Sequence, residues 1–353
     1  MSTKKLVPLL ALGLLLFAGC QDQVPLLAPD DAALAVAEEA PAGPQMQPPR
    51  VGDYTFQMFD VEFPGETIGH TRAIGINGQG DVVGTYTIWD GDGERWLWRS
   101  YMLSKGKLHR VHFPGSLQTG ARAINDRGEI VGSWWEGEVG TGTRGFMLRD
   151  GEYTRVEVPG AAQTYLFGLN SSGVATGQWL DGSGFWHGFF LQDGVFTTFD
   201  APGATHTTPM GINPQGDIVG FYIDPTRDPA RKTRYWPFLR LADGTFFTDH
   251  EYPVGPIRMM ALQSINPRGD LVGWYRPVTA WSPYFGFVLD KQGTYTKLEI
   301  PDAWETEPLG INASGVVVGS VYFWIPGDPS KPFNLFNTTI RGWIGFPARG
   351  AGK

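Results

Sequence analysis

A hairpin motif that recurs six times is the feature that most constrains the fold of this chain. In each copy an aliphatic residue precedes an asparagine, and glycines follow that asparagine after three and after seven residues. Successive asparagines lie 48, 45, 43, 53 and 46 residues apart, at Asn77, Asn125, Asn170, Asn213, Asn266 and Asn312. A repeat of this length predicts a stack or a ring of similar units, each too small to bury its own apolar face.

The residue types explain why the motif forms a hairpin. An asparagine side chain can bond the backbone two residues further on, and a glycine accepts a positive φ at the end of a short loop without steric cost. The second glycine falls inside a strand, where it predicts a β-bulge or a close approach of two backbones. These second glycines are Gly84, Gly132, Gly177, Gly220, Gly273 and Gly319.

Each repeat contains further strand and turn signals. A large aromatic residue stands two places after the second glycine in five of six repeats, and a second hairpin follows at turns such as Asp150-Gly151 and Asp193-Gly194. Most repeats then end with Pro-Gly or a related pair. Four short strands per repeat are the content of one propeller blade. The sequence therefore predicts an all-β fold, a six-bladed β-propeller of four-stranded antiparallel blades.

The two ends of the repeat region predict how such a ring closes. Residues 54–63 are a copy of the fourth strand without a partner, and residues 340–346 are a copy of the third strand that lacks a fourth. We expect the N-terminal strand to complete the last blade, because closure removes the sheet edges that invite aggregation. A β-solenoid is the alternative, although its coils are usually shorter and would not leave complementary ends.

These repeats resemble the HAF family of extracellular repeats, named for a His-Ala-Phe tripeptide on the third strand. The resemblance covers residues 54 to about 346 and rests on the Asn-x-x-Gly pattern, the second glycine, and the Asp-Gly and Pro-Gly turns. One repeat keeps the histidine, in the segment Trp186-His187-Gly188-Phe189. The resemblance implies an exported protein without an assigned enzyme class.

The N-terminal segment predicts export and a lipid anchor. Lys4 and Lys5 precede an apolar stretch at residues 6–16, and small residues then lead to Cys20. This order is typical of an export signal, and the stretch is too short to span a bilayer. The segment resembles the lipobox of bacterial lipoproteins, which implies that Cys20 is lipidated and becomes the new N-terminus. An ordinary signal peptide with an incidental cysteine is the alternative.

The sequence divides the chain into four segments. Residues 1–20 are the lipoprotein signal peptide, residues 21–52 a flexible tether rich in Pro, Ala and acidic residues, residues 53–347 the propeller, and residues 348–353 a disordered tail. The tether has no aromatic residue. It therefore cannot bury enough apolar area to offset the entropy of ordering.

Charge and cysteine content exclude several classes of partner. Loss of Lys4 and Lys5 leaves 26 basic and 36 acidic residues, a net charge of −10, which argues against a nucleic-acid partner. The same charge leaves membrane attachment to the lipid anchor. By analogy with lipoproteins, Gln21 after the cysteine favours the outer membrane or cell surface. Cys20 is the sole cysteine, and the sequence carries no phosphate loop, nucleophile elbow or HExxH motif, so we expect no cofactor and no metal site.

A ring of polar residues is the first candidate ligand site. Threonine stands six residues before the asparagine in five of six repeats, near the predicted mouth of the central channel. The candidate ring comprises His70, Thr71, Gln118, Thr119, Gln163, Thr164, His206, Thr207, Glu305 and Thr306. The alternative is that each threonine only bonds its own loop. A metal site from His70, His206 and Glu305 is disfavoured because all three would have to meet from repeats that are not all adjacent.

Aromatic residues in the loops between the second and third strands are the second candidate. Aromatic rings on an exposed rim suit the recognition of sugars or proteins. The candidate rim comprises Trp89, Trp96, Trp98, Trp135, Trp186, Trp281 and Tyr284. The alternative is that these rings are wedges between blades.

Our hypothesis from sequence is a lipid-anchored binding module at the cell envelope, with a polysaccharide or protein ligand. A hydrolase or lyase acting on an extracellular polymer is the second hypothesis, and it rests on analogy with other propellers alone. An envelope scaffold without a small ligand is the third. No residue is assigned a catalytic role.

Overall fold

A computed structural model describes residues 54–92, 95–137, 142–228, 234–248, 256–278, 283–324 and 338–348. Cys20, the tether and Trp281 lie outside these ranges. The described residues form strands and turns in an all-β, propeller-like arrangement. In this part of the chain no helix is long and apolar enough to cross a membrane.

Four separate sheets contain four strands each. The first two sheets consist of β2 (Ile68–Ile76), β3 (Val82–Asp90), β4 (Arg95–Ser104) and β5 (Lys107–Val111), followed by β6 (Gln118–Ile124), β7 (Ile130–Trp135), β8 (Arg144–Arg149) and β9 (Glu152–Val156). The third consists of β18 (Ile257–Ile265), β19 (Leu271–Pro277), β20 (Phe285–Leu289) and β21 (Tyr295–Leu298).

The fourth of these sheets joins the two ends of the repeat region. It contains β22 (Glu305–Ile311), β23 (Val317–Trp324), β24 (Thr338–Pro347) and the N-terminal strand β1 (Tyr54–Phe59). Strand β1 runs antiparallel to β24, with Tyr54 opposite Pro347 and Phe59 opposite Gly342. The pairing expected between the ends is therefore present, although the strand ends at Phe59 and does not continue to Phe63.

A fifth sheet contains eight strands. Its two halves are β10 (Gln163–Leu169), β11 (Ala175–Leu180), β12 (Trp186–Gln192) and β13 (Val195–Phe199), then β14 (His206–Ile212), β15 (Ile218–Ile223), β16 (Tyr235–Arg240) and β17 (Phe246–Phe247). One parallel pair, Trp186 with His206, joins the halves. Each half otherwise repeats the antiparallel meander of the other sheets.

The core lies between the faces of successive sheets. One cluster places Val131 and Met147 of the second repeat against Leu166 and Phe189 of the third. Corresponding clusters join the other neighbouring repeats, including the last and the first. Burial between sheets therefore supplies the stabilisation that a single four-stranded sheet cannot supply for itself.

The second glycine of each motif stands where two strands approach closely. A Cβ atom at these six positions would lie 1.9–2.3 Å from a backbone oxygen of the neighbouring strand. The approach accompanies a β-bulge in the first strand of every sheet unit, three residues before the asparagine. The close approach, one of the two predicted alternatives, is therefore present at each glycine, and the bulge lies in the partner strand. A residue with a side chain would displace the strand at each of these positions.

Candidate functional site

The asparagines of the motif link neighbouring repeats to one another. The side-chain nitrogen Nδ2 of Asn77 donates to the backbone oxygen of Asn125, and Asn125 donates in the same way to Asn170. The same bond runs from Asn170 to Asn213, from Asn266 to Asn312, and from Asn312 back to Asn77. These five bonds are 3.0–3.2 Å long. We call the six asparagines the Asn ring.

Each asparagine also holds its own hairpin. The Oδ1 atom of Asn170 accepts the backbone N–H groups of Ser172 and Val174, and the other repeats show this pattern in full or in part. In four repeats a carboxylate four residues later accepts a bond from Nδ2, as Asp270 does from Asn266. A short side chain with both a donor and an acceptor is needed, which explains why asparagine occupies all six positions.

Small residues let the innermost strands meet beside the Asn ring. A Cβ atom on Gly75 would lie 2.8 Å from the backbone oxygen of Arg122 in the next repeat. A Cβ atom on Gly211 would lie 2.9 Å from the Cα of Ser264, which makes the fourth and fifth repeats neighbours. Larger side chains here would push adjacent repeats apart.

The first strands of all six repeats line one cavity of about 120 Å³. Its mouth lies between the hairpin tips, where the residues after the asparagines include the exposed Gly78, Asp126 and Ser171. Its deepest lining residues stand three places before each asparagine, at the bulge: Ile74, Arg122, Phe167, Met210, Gln263 and Leu309. Bulges are known to re-aim side chains, and here the bulged residues form the cavity floor.

Two polar side chains interrupt this otherwise apolar floor. Arg122 is 5% exposed, and its Cζ atom lies 5.4 Å from the centre of the Phe167 ring. Burial, and then the positive charge of Arg72, lower the pKa of Arg122 to about 9. Gln263 is 3% exposed, and its Nε2 donor has no hydrogen-bond partner within the described residues. A buried donor in that state is costly, by about 1–3 kcal/mol.

A buried ion pair connects the first and last repeats further along the channel. The Nη2 atom of Arg72 lies 2.7 Å from Oε2 of Glu307, and Nε of Arg72 donates to the hydroxyl of Ser320. The same Glu307 oxygen accepts the Tyr322 hydroxyl at 3.0 Å. Burial disfavours the charge of Arg72, but Tyr322 and Glu307 outweigh burial and hold its pKa above the usual value.

Aromatic side chains of the first three repeats pack together next to the cavity floor. Trp98, Trp135 and Trp186 form one cluster with Tyr165 and Phe167, and all five are buried. Met210 packs against this cluster, and like Phe167 it also lines the cavity floor. We call the five aromatic residues of this cluster the aromatic plug. Because Phe167 belongs to both, the plug adjoins the cavity floor.

The plug corrects part of the predicted aromatic rim. Trp98, Trp135 and Trp186 were expected in exposed loops, but they lie on strands β4, β7 and β12 with side chains turned inward. Trp89 is 41% exposed and its ring packs 5.5 Å from that of the half-buried Trp96. Tyr284 is half-buried against Trp274. The wedge alternative therefore holds for three members, and Trp281 lies outside the described residues.

The threonines of the predicted polar ring do not face the channel. Their hydroxyls accept backbone N–H groups of the preceding loop at 3.0–3.2 Å: Val61 to Thr71, Phe113 to Thr119, Val158 to Thr164, Ala201 to Thr207 and Ile300 to Thr306. All five threonines are buried. The expected open ring of hydroxyls is therefore corrected: these side chains fix the loop between consecutive sheets, as the turn alternative held.

The residues before the threonines have different environments. Gln118 is buried and accepts the backbone N–H of Trp98, whereas Gln163 is half-buried and accepts the Tyr165 hydroxyl. His206 is half-buried beside Phe185. The pKa of His70 is lowered by burial and by Arg72. These side chains therefore do not repeat one arrangement around the channel.

Glu305 is the single carboxyl of the predicted ring. It is buried, and its oxygen lies 3.4 Å from the backbone nitrogen of Tyr284. Burial, and then the negative charge of Glu307, raise the pKa of Glu305 to about 7. This carboxyl is therefore partly protonated near neutral pH, as a general acid must be.

His187, the histidine kept from the tripeptide, lies at the surface of the third repeat. Its Nδ1 atom is 2.8 Å from Asp200 and its Nε2 atom 3.4 Å from Asp181. Burial lowers its pKa, but the two carboxylates outweigh burial and raise the pKa above the ordinary value. The contacts hold the imidazole between two acids on the outside of the sheet.

Sequence reasoning did not single out the two polar residues of the cavity floor. Arg122 and Gln263 stand three places before the asparagine, where the other repeats carry apolar residues. When the six repeats are aligned, these are the two polar residues at a position that is otherwise apolar. That difference indicates a site only because the bulge turns this position into the channel.

Comparisons with known proteins show similarity at the level of solved structures. No protein-family model and no curated protein matches the chain. TolB from Acinetobacter baumannii is 11% identical, with 84% of this chain and 80% of that chain covered and a TM-score of 0.48. A protein of unknown function from Dyadobacter fermentans is 12% identical, with 84% and 99% covered and a TM-score of 0.48.

The β-propeller domain of the Trilobed protease from Pyrococcus furiosus is 8% identical, with 79% of this chain and 94% of that chain covered and a TM-score of 0.42. All three TM-scores lie below 0.5.

Proposed function

We propose that this protein is an exported, lipid-anchored binding module of the cell envelope, built as a closed six-bladed β-propeller. The observation that carries the proposal is the cavity of about 120 Å³ at the Asn ring, to which the first strands of all six repeats contribute. Ligand sites are typically concave and placed where several elements converge. The ligand enters between the hairpin tips, at the end of the channel opposite to the aromatic plug.

The contacts between repeats support six blades in a closed ring. The Asn-ring bonds make neighbours of the first to fourth repeats, the fifth and sixth, and the sixth and first. The approach of Gly211 to Ser264 makes neighbours of the fourth and fifth. The eight-stranded sheet then counts as two blades joined by one residue pair.

A protein ligand fits the exposed surfaces better than a polysaccharide. Three of the tryptophans expected to stack on sugar rings are buried in the plug. The hairpin tips around the cavity mouth instead expose Arg127, Arg268 and small polar residues such as Ser171. Arginine is enriched at protein interfaces, and small tips leave backbone groups accessible to a partner.

Two matched substitutions test where the ligand binds. Ser171→Trp places a large ring at the cavity mouth, whereas Ser172→Trp places the same ring on the next residue, which does not line the cavity. We expect the full chain to capture a protein from envelope extract, with capture lost in Ser171→Trp and kept in Ser172→Trp. Equal capture by both variants would contradict the site.

A screen of the same full chain against defined glycans distinguishes the ligand classes. Glycan binding that Ser171→Trp abolishes would replace the protein ligand by a polysaccharide. Silence against both glycans and extract would leave the envelope scaffold as the better hypothesis.

Cys20→Ser tests the anchor. The lipid modification needs the thiol, so the variant is expected to leave the membrane fraction after cell fractionation. A variant that remains in the membrane fraction would contradict lipid anchoring at Cys20.

Glu305 favours a second candidate function, a hydrolase or lyase acting on an extracellular polymer. A carboxyl with a pKa of about 7 beside a second carboxylate, Glu307, has the protonation state of a general acid. Polymer cleavage by the wild-type chain that disappears in Glu305→Gln, with binding retained, would favour the enzyme. Unchanged binding and no cleavage in either protein would exclude it for the polymers tried.

A further inference from the structure

The floor of the Asn-ring cavity combines a cation and a hydrogen-bond donor within a narrow space. Arg122 comes from the second repeat and Gln263 from the fifth, and both line the same cavity. Two repeats lie between them in each direction around the ring, so the two side chains approach the channel axis from opposite sides. A species lying on the axis meets both.

The charges within the channel favour a negative species there. Among the buried groups that act on Arg122, Arg72 is a cation and Glu307 is an anion, and those two are paired with each other at 2.7 Å. The Arg72–Glu307 pair is therefore close to neutral as a unit, and the charge of Arg122 adds to it. Asp126 at the cavity mouth is exposed to solvent, and its carboxylate accepts the backbone N–H of Gly78.

The donor of Gln263 is the second, independent sign of a ligand. Its residue is 3% exposed, and Nε2 has no hydrogen-bond partner in the described part of the protein. Buried polar atoms in native proteins nearly always have a partner, so an orphaned donor in a cavity indicates a missing acceptor. An anion supplies acceptors and charge together.

We propose that the Asn-ring cavity binds a small carboxylate anion, held by the guanidinium of Arg122 on one side and the Nε2 amide of Gln263 on the other. This inference rests on the proposed function, because it names the ligand class of the same site. A guanidinium forms two parallel bonds to a carboxylate. The apolar floor residues, such as Ile74 and Leu309, suit a short hydrocarbon group attached to the carboxylate.

Thermal unfolding of the full chain with added anions tests the proposal. Formate, acetate and chloride are titrated at constant ionic strength, with p-toluenesulfonate, an anion that has no carboxylate, as the balancing salt. A ligand that binds the folded state alone raises the melting temperature in a saturable way. We expect formate and acetate to do so. The absence of a saturable rise with either, or a rise with chloride alone, would overturn the carboxylate assignment.

Two substitutions in the floor and two on the surface make the test specific. Arg122→Met removes the cation and is expected to abolish the acetate effect, while Gln263→Leu is expected to weaken acetate binding by roughly 10-fold to 100-fold, the value of one hydrogen bond to a charged group. Arg110→Gln and Arg155→Gln change exposed arginines that do not line the cavity, and both are expected to leave the acetate effect unchanged. An acetate effect that survives both floor substitutions would overturn the proposal.

A competition experiment distinguishes the source of the carboxylate. If acetate displaces the protein captured from envelope extract, the carboxylate belongs to a side chain or terminus of that partner. If acetate binds without displacing it, the anion comes from solution. The carboxylate proposal stands in both cases.

The failures of the two proposals are separable. If Ser171→Trp abolishes protein capture but no anion changes the melting temperature, the binding-module proposal is supported and the anion proposal is rejected. If acetate raises the melting temperature in a saturable way but Ser171→Trp does not change protein capture, the proposed binding face is rejected and the anion site is supported.

Discussion

The two ends of the central channel are built by opposite means. At the Asn ring the same residue occupies the same place in every repeat, and its bonds run to backbone atoms of the next repeat. At the plug five aromatic side chains of the first three repeats pack against one another, and the other repeats contribute none of them. The Asn ring therefore links the repeats around a cavity, whereas the plug is a packed aromatic cluster on one side of the ring. The proposed ligand site lies at the uniform end.

Removal of residues 53–64 should have the largest effect, because it takes strand β1 from the last sheet. The loss leaves β24 with an unpaired edge and separates the cluster that Phe56 joins with Trp343. We expect the domain to unfold or to associate through the open edge. Size-exclusion chromatography and thermal unfolding provide the measurement. A monomer with an unchanged melting temperature would show that neither end of the channel depends on closure.

Trp135→Ala tests whether the plug is a packed core. Trp135 is fully buried in the cluster, so truncation should cost about 3–5 kcal/mol in the free energy of unfolding. Urea unfolding measures the change. Trp89→Ala, which truncates an exposed tryptophan, is the matched control and should cost under about 1 kcal/mol. If the two substitutions lower the free energy of unfolding equally, Trp135 is packed no more tightly than the exposed Trp89.

Glu305→Gln tests the buried carboxyl at the start of strand β22. The folded state raises the pKa of Glu305 to about 7 from 4.5, so the folded protein binds more protons than the unfolded chain between these values. The stability contributed by the protonated carboxyl is present below pH 4.5 and is lost as the pH rises through about 7.

The glutamine variant should therefore lack this loss. Relative to the wild type, its stability should increase from pH 5 to pH 8 by up to about 3 kcal/mol, since one pKa unit corresponds to about 1.4 kcal/mol. Urea unfolding at the two pH values measures the change. A parallel pH dependence in both proteins would show that the carboxyl titrates normally.

Asn170→Ala tests the ring end and should have the smallest effect. The substitution removes the bond to the backbone oxygen of Asn213 and the two bonds that Oδ1 accepts within the hairpin. We expect a loss of about 2 kcal/mol, because some of these groups regain water. Ser172→Ala, at the exposed tip of the same hairpin, should change the stability by less than about 0.5 kcal/mol. If Asn170→Ala changes the free energy of unfolding no more than Ser172→Ala does, the bonds of the Asn ring are not needed for stability.

Local features of the repeat were predictable, and the placement of its side chains was not. The turn roles of Asn170 and its glycine follow from residue type, because an Asx bond and a positive φ are properties of a few consecutive residues. The inward turn of Trp135 could not be predicted, because sequence spacing alone does not show which loop residues extend a strand. Thr119 fitted both the ligand-ring hypothesis and the alternative of a threonine that bonds its own loop. Its hydroxyl accepts the backbone N–H of Phe113, which agrees with the second.

The sequence by itself determined that similar four-stranded units follow one another and where each turns, since asparagine and glycine at fixed spacing allow few backbone conformations. Only the tertiary structure decided which side chains meet in the channel. A bulge shifts the alternation of each inner strand by one residue, and this shift aims Arg122 and Gln263 at the axis. Their meeting depends on backbones more than 100 residues apart in sequence, whose relative position no local pattern records.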